Sequence, residues 1–144
     1  MIQIIILVVV LLVACGAGLW LRARAGQVRQ VAADAPADER VALLAAAGVG
    51  EREPTVLHFS ADWCGPCAAV RRVVGQVIGE LAQHPRPPRE VELDIDENPS
   101  LARELGVLSL PTTFIFDGAD SQLFRISGVP SAADLRNALQ PLSG

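Results

Sequence analysis

The chain of 144 residues contains no lysine, because every one of its twelve basic residues is an arginine. Any mechanism that needs a titratable amine is therefore confined to the chain terminus. Cysteine is scarce, with three in the chain, and the only histidines are His58 and His84. There is no second C-x-x-C and no H-x-x-x-H, the patterns that usually complete a structural zinc site. Low-complexity tracts and internal repeats are missing too. Arg22, Arg24 and Arg29 follow the apolar N-terminus, and the rest of the chain sets nine arginines against sixteen acids. That balance does not suit a phosphate backbone, so no nucleic-acid partner is expected. What the chain does have is 51% apolar and 19% charged residues, with Gly and Pro scattered, the composition of a globular fold. Beyond the N-terminal segment about 120 residues remain, enough for one domain with a core.

From Ile2 to Leu21 the sequence IQIIILVVVLLVACGAGLWL is uncharged, with Gln3 its one strongly polar side chain. At 1.5 Å per residue it covers about 30 Å of hydrocarbon, so residues 1–21 read as a transmembrane anchor with Trp20 at the interface. A cleavable signal peptide wants positive charge ahead of a short apolar core, and neither is present. Leu12-Val13-Ala14-Cys15 resembles the lipobox of bacterial lipoproteins, but the basic start is missing and the apolar run continues to Leu21. Cys15 then lies in or at the bilayer, away from the other two cysteines, as a small apolar helix residue. Arg22, Arg24 and Arg29 follow the span, and the positive-inside rule puts the domain on the cytoplasmic face. Large domains also translocate despite such flanks, which leaves the extracytoplasmic side open.

Residues 22–36 mix Arg, Gly, Gln and Ala without an apolar period and read as a linker, leaving 37–144 as the folded domain. Asp34 and Pro36 offer an N-cap and first-turn pair for a helix to about Ala47. TVLHFS reads as a strand, followed by a helix from about Cys64 with Val70, Val73, Val74, Val77, Ile78 and Leu81 at spacings of three and four. VELDID predicts a strand, and Asn98-Pro99 caps a short helix ended by Gly106. TTFIFDG and SQLFRIS predict two strands joined by a tight turn at Asp117-Gly118. Ser131 opens a last helix with Asp134 as its N3 acid and Leu135, Leu139 and Leu142 facing inward. The order α-β-α-β-α-β-β-α predicts an α/β fold with a mixed sheet and helices on both faces.

The stretch SADWCGPCAAV puts Cys64 and Cys67 at a strand-to-helix junction. A cysteine in the first turn of a helix faces unpaired N–H groups and the positive end of the helix dipole, which favour thiolate, so Cys64 is the better nucleophile. Cys67, one turn on, suits a resolving thiol that attacks a mixed disulfide on Cys64. The competing readings are half of a zinc site, which lacks further ligands, and two buried cysteines without chemistry, which do not require Trp63 and Gly65-Pro66 around them.

WCGPC after an apolar strand, with Leu110-Pro111-Thr112 downstream, resembles the thioredoxin family over about residues 37–142. The resemblance implies a thioredoxin fold, with a central mixed sheet flanked by helices, and a dithiol–disulfide exchange enzyme without a cofactor. It implies a redox-active Cys64–Cys67 disulfide, with Gly65-Pro66 resembling the reducing members. Pro111 corresponds to a cis-proline packed against the pair, and the Leu110 backbone pairs with an extended substrate peptide. Gly128 lines the substrate groove and Trp63 forms its aromatic rim; taken alone, they read as a turn glycine and a surface-packed tryptophan.

The chain departs from that family where a buried aspartate and a lysine on the neighbouring strand usually manage the resolving cysteine's proton. Those positions align with His58 and Glu92. Imidazole has a reference pKa of about 6.5, so His58 is a candidate acceptor for the Cys67 proton, oriented by Glu92. The alternative is a hydrogen-bonded, semi-buried histidine without kinetic importance. Ser60 replaces an aromatic often found before the active-site turn, and His84 in HPRPPRE takes no role.

The expected function is membrane-anchored protein disulfide reduction, with protein disulfides as substrates and an upstream thiol reductase or membrane thiol relay as electron source. The alternatives are an extracytoplasmic reductase for cytochrome maturation or envelope proteins, and a thioredoxin-fold binding subunit of a membrane complex without redox turnover.

Overall fold

The computed structural model describes residues 1–24, 28–30, 38–50, 52–119 and 121–144. Helix α1, Ile2–Arg24, is apolar along the span Ile2–Trp20 and buries none of it. It is long and apolar enough to cross a membrane, a test that a signal sequence also passes. The remaining elements are β1 (Val28–Gln30), α2 (Asp38–Ala46), β2 (Thr55–Ser60), α3 (Cys67–Leu81), β3 (Arg89–Asp94), α4 (Pro99–Glu104), β4 (Thr112–Phe116), β5 (Gln122–Ser127) and α5 (Ala132–Leu139), with a 3₁₀ turn at Gln140–Leu142. The five strands form one sheet in the order β1-β5-β4-β2-β3. β2 and β3 are parallel, joined by the crossover through α3, and the other neighbours are antiparallel. This is the expected mixed sheet of a thioredoxin fold.

Strand alternation divides the core into two. Leu57, Phe59, Phe114 and Phe116 pack with Leu44, Leu101 and Leu105 on the face covered by α2 and α4. Val56, Ile115 and Ile126 pack with Val70, Val74, Val77, Leu81, Leu135 and Leu139 on the face covered by α3 and α5. Burying each such aliphatic side chain contributes roughly 1.5–3 kcal/mol before the entropy of ordering it is counted.

Several local signals act as the sequence predicts. Ser131 caps α5 by accepting the Asp134 amide at 3.1 Å, and Pro99 opens α4. Asn98 occupies the N-cap of α4, but its side chain donates instead to the Asp94 carbonyl at 3.0 Å. Arg125 donates to the carbonyls just past the end of α4, Leu105 (3.1 Å) and Gly106 (2.7 Å), while its guanidinium lies 5.3 Å from the centre of the Phe114 ring.

Two expectations need correcting, and a third lies outside the described residues. The segment read as a linker contains a short strand, Val28–Gln30, antiparallel to β5; a three-residue strand has too little period to show in sequence. The expected cap at Asp34 and Pro36 lies outside the described residues. The β4–β5 connection is longer than a two-residue turn, with Asp117 Oδ1 accepting the amides of Ala119 and Ser121 at 2.9 Å each. Gly118 is required there, because a Cβ at this position would collide with the Arg52 backbone carbonyl.

Candidate active site

The cysteine pair lies just beyond the C-terminal end of β2. Its turn is held by the Cys64 amide donating to the Ala61 carbonyl (3.0 Å) and the Cys67 amide donating to that of Cys64 (3.3 Å). Pro66 is the N-cap of α3 and Cys67 its first residue, so Cys64 stands one turn ahead of the helix rather than within it. Proline favours this placement, since its fixed φ suits a helix start and its missing N–H would have no partner there. The pair is oxidised, with sulfurs 2.02 Å apart. Cys64 is half-buried and Cys67 is 1% exposed, which makes Cys64 the sulfur that a substrate can reach. Sγ of Cys67 lies 3.9 Å from the Phe59 carbonyl, which can accept its thiol hydrogen in the reduced state.

Around this turn the sheet gathers the other predicted residues. Phe59 is in register with Thr112, and Thr112 with Ser127, so Pro111 and Gly128 flank the end of β2. The Leu110–Pro111 bond is cis, and the Gly128 amide donates to the Pro111 carbonyl at 2.9 Å. Gly128 has φ 92°, a conformation that favours glycine. Trp63 is 70% exposed, with its indole N–H donating to Asp96 Oδ2 at 3.2 Å. Leu108, in the same loop as Pro111, is 93% exposed and was not singled out by sequence. The signal that could have found it is its place in a short loop between Gly106 and the proline.

His58 is fully buried in the middle of β2. Glu92 is its register neighbour on β3, but the carboxylate that reaches its ring is Glu90, with Oε1 2.8 Å from Nε2. The expectation that Glu92 orients His58 is corrected accordingly. Glu92 instead accepts from Arg71 Nε at 2.6 Å. Partial burial disfavours the charge of Glu92, but hydrogen bonds from Ser60 and Arg71, with the positive charge of Arg71, hold its carboxyl below the ordinary value of 4.5. Ser60 therefore has a polar partner on β3. On the other side of His58, Thr113 of β4 is its register partner. His58 Nδ1 and Thr113 Oγ1 are buried and have no hydrogen-bond partner. Among the described residues no group of three or more His, Cys, Asp or Glu side chains is arranged to hold a metal ion.

The thioredoxin family profile matches residues 44–141. The chain is 35% identical to the thioredoxin of Mycolicibacterium smegmatis over 92 residues, 63% of this chain and 80% of that protein. It is 38% identical over 88 residues to a bifunctional thioredoxin reductase/thioredoxin of Mycobacterium leprae, a match that covers 60% of this chain and 18% of that longer protein. Among solved structures, oxidized mitochondrial thioredoxin 3 from Saccharomyces cerevisiae is similar with a TM-score of 0.54 and 27% identity, over 73% of this chain and 88% of that one.

Proposed function

Because the chain belongs to the thioredoxin family, we propose that it is a membrane-anchored protein disulfide reductase in which Cys64 attacks and Cys67 resolves. The observation that carries this reading is the asymmetry of the pair, a reachable Cys64 joined to a buried Cys67 at the end of β2 beside the cis-Pro111 loop. The Cys64 thiolate attacks one sulfur of a protein disulfide, and the other sulfur leaves as a thiolate. Cys67, as thiolate, then attacks Sγ of Cys64 and releases the second substrate sulfur, leaving the Cys64–Cys67 disulfide. Two electrons pass to the substrate, and an upstream thiol reductase or membrane thiol relay restores the dithiol. Leu110 and Gly128 line the groove that receives the substrate chain, with Trp63 as its rim.

Cys67 must lose a proton before it attacks, and His58 takes it. His58 is the one titratable side chain that β2 buries on the face packed by α3. α1 holds the domain at a membrane, where tethering raises its effective concentration toward membrane substrates. The arginines that follow the span put it on the cytoplasmic face.

The test compares single cysteine variants of the full chain in detergent. Cys67→Ser is expected to accumulate a mixed disulfide with a protein substrate, and Cys64→Ser to lose both trapping and turnover. Turnover retained by Cys64→Ser ends the reductase reading and favours a binding subunit. A His58→Gln protein with an unchanged pH–rate profile removes His58 as the proton acceptor. A reporter that works only outside the cytoplasm, fused after Gly144, is expected to stay silent.

A further inference from the structure

We propose that Glu90 is the outlet for the proton that His58 accepts, carrying it to solvent across edge strand β3. This rests on the reading of His58 as the base for Cys67. It adds one positioning residue and a direction of travel.

His58 sits on a central strand, between β3 and β4, with no exposed surface of its own. A proton delivered to it needs a way out. Glu90 touches the ring at 2.8 Å and stands on β3, the last strand on that side of the sheet, with 32% of its side chain exposed. It therefore contacts the buried imidazole and bulk water at once. Glu92 is unsuited to the same task, because Arg71 and Ser60 engage its carboxylate and hold it ionised. Among the described residues, the hydrogen-bond partner of Glu90 is His58.

The carboxylate also sets the tautomer. A neutral imidazole facing an ionised Glu90 keeps its hydrogen on Nε2 and leaves the Nδ1 lone pair free. Nδ1 is buried and unpaired, and so is Oγ1 of Thr113, its register partner on β4. Among the described residues, the other charged or titratable groups near this face are Glu92 and Asp94 on β3, Arg71 on α3 and the Cys64–Cys67 pair. β5 and α5 contribute Ile126, Leu135 and Leu139.

The proton balance closes over a full cycle. When Cys67 attacks, its thiol proton moves to Nδ1 and the Nε2 proton moves to Glu90, whose carboxyl then donates across the 2.8 Å contact to Nε2 and exchanges that proton with water. When the disulfide is reduced again, the Cys67 thiolate takes the proton back from Nδ1, and Glu90 returns its proton to Nε2. The ring regains its starting tautomer without turning over. All electrons travel in the thiol–disulfide exchange and none in the relay.

The test follows the resolving step by stopped flow in the full-length reduced chain, against a protein disulfide, as a function of pH. Glu90→Gln is expected to slow that step by roughly tenfold or more at neutral pH and to displace its pH profile. In Glu90→Ala, added formate is expected to recover the rate, with no such recovery in Glu92→Ala. A wild-type rate and profile in Glu90→Gln, with His58→Gln impaired, overturns the outlet while leaving His58 as the base. A wild-type profile in His58→Gln overturns the base and the outlet with it. Formate recovery in both alanine variants, or in neither, removes the assignment to Glu90.

Discussion

The two faces of the central sheet are built from the same strands and differ in kind. On one, Phe59 and Phe114 meet edge to face with centroids 6.3 Å apart, Phe116 stacks beyond them, and the interior is apolar. On the other, the same strands turn inward His58, Ser60 and Thr113, two of which bury polar atoms without partners. The first face is held by its aromatic cluster. The second carries an apolar core of its own, from Val56 to Leu139, and within it buried polar groups on the strand that leads to the cysteine pair.

Substitutions of opposite sign sharpen that contrast. Phe114→Ala, in the aromatic face, is expected to cost about 3–5 kcal/mol in denaturant unfolding, because it removes a fully buried ring and leaves a cavity. A loss below about 1 kcal/mol would show that this face is not where the fold is anchored. Thr113→Val, nearly isosteric on the other face, is expected to raise stability by about 1 kcal/mol, since it removes an unpaired buried hydroxyl. A variant less stable than the wild type breaks the comparison. The smallest effect concerns acid. Glu92 is held below 4.5, so its contribution is present above that value and is lost as pH falls through the lowered one. Arg71 is 49% exposed, which keeps the contribution under about 1 kcal/mol. Melting at pH 5 and pH 3 is expected to show a slightly larger loss for the wild type than for Glu92→Gln.

Most of the aromatic face was legible in the sequence, since alternation in TVLHFS and TTFIF dictates which side chains turn inward. So was the apolar stripe of α3, because a period of three and four over fifteen residues admits few other readings. The site was legible where a local motif carries it, as at Cys64, Cys67 and Pro111. It was less legible where distance between elements decides. Sequence places Glu92 across from His58, and the strand register agrees, yet a long side chain two residues earlier reaches the ring first. Register locates Cα atoms, whereas reach depends on rotamers and on the competing pull of Arg71. The strand at Val28–Gln30 escaped for a related reason. Its three residues have no pattern of their own, and what makes them a strand is the exposed edge of β5.

Arg125, described above as a cap for α4, also sets the posture of the loop before Pro111. Its grip on Gly106 fixes one end, and the Val107 amide is tied to the Ala102 carbonyl at 2.8 Å. At the other end the Ser109 carbonyl accepts from the Thr112 hydroxyl at 2.7 Å, and the Pro111 carbonyl from Gly128. Leu108 is left as a single presented side chain on a backbone pinned from both directions. A surface that meets it encounters a preorganised contact, with most of the ordering entropy already spent during folding.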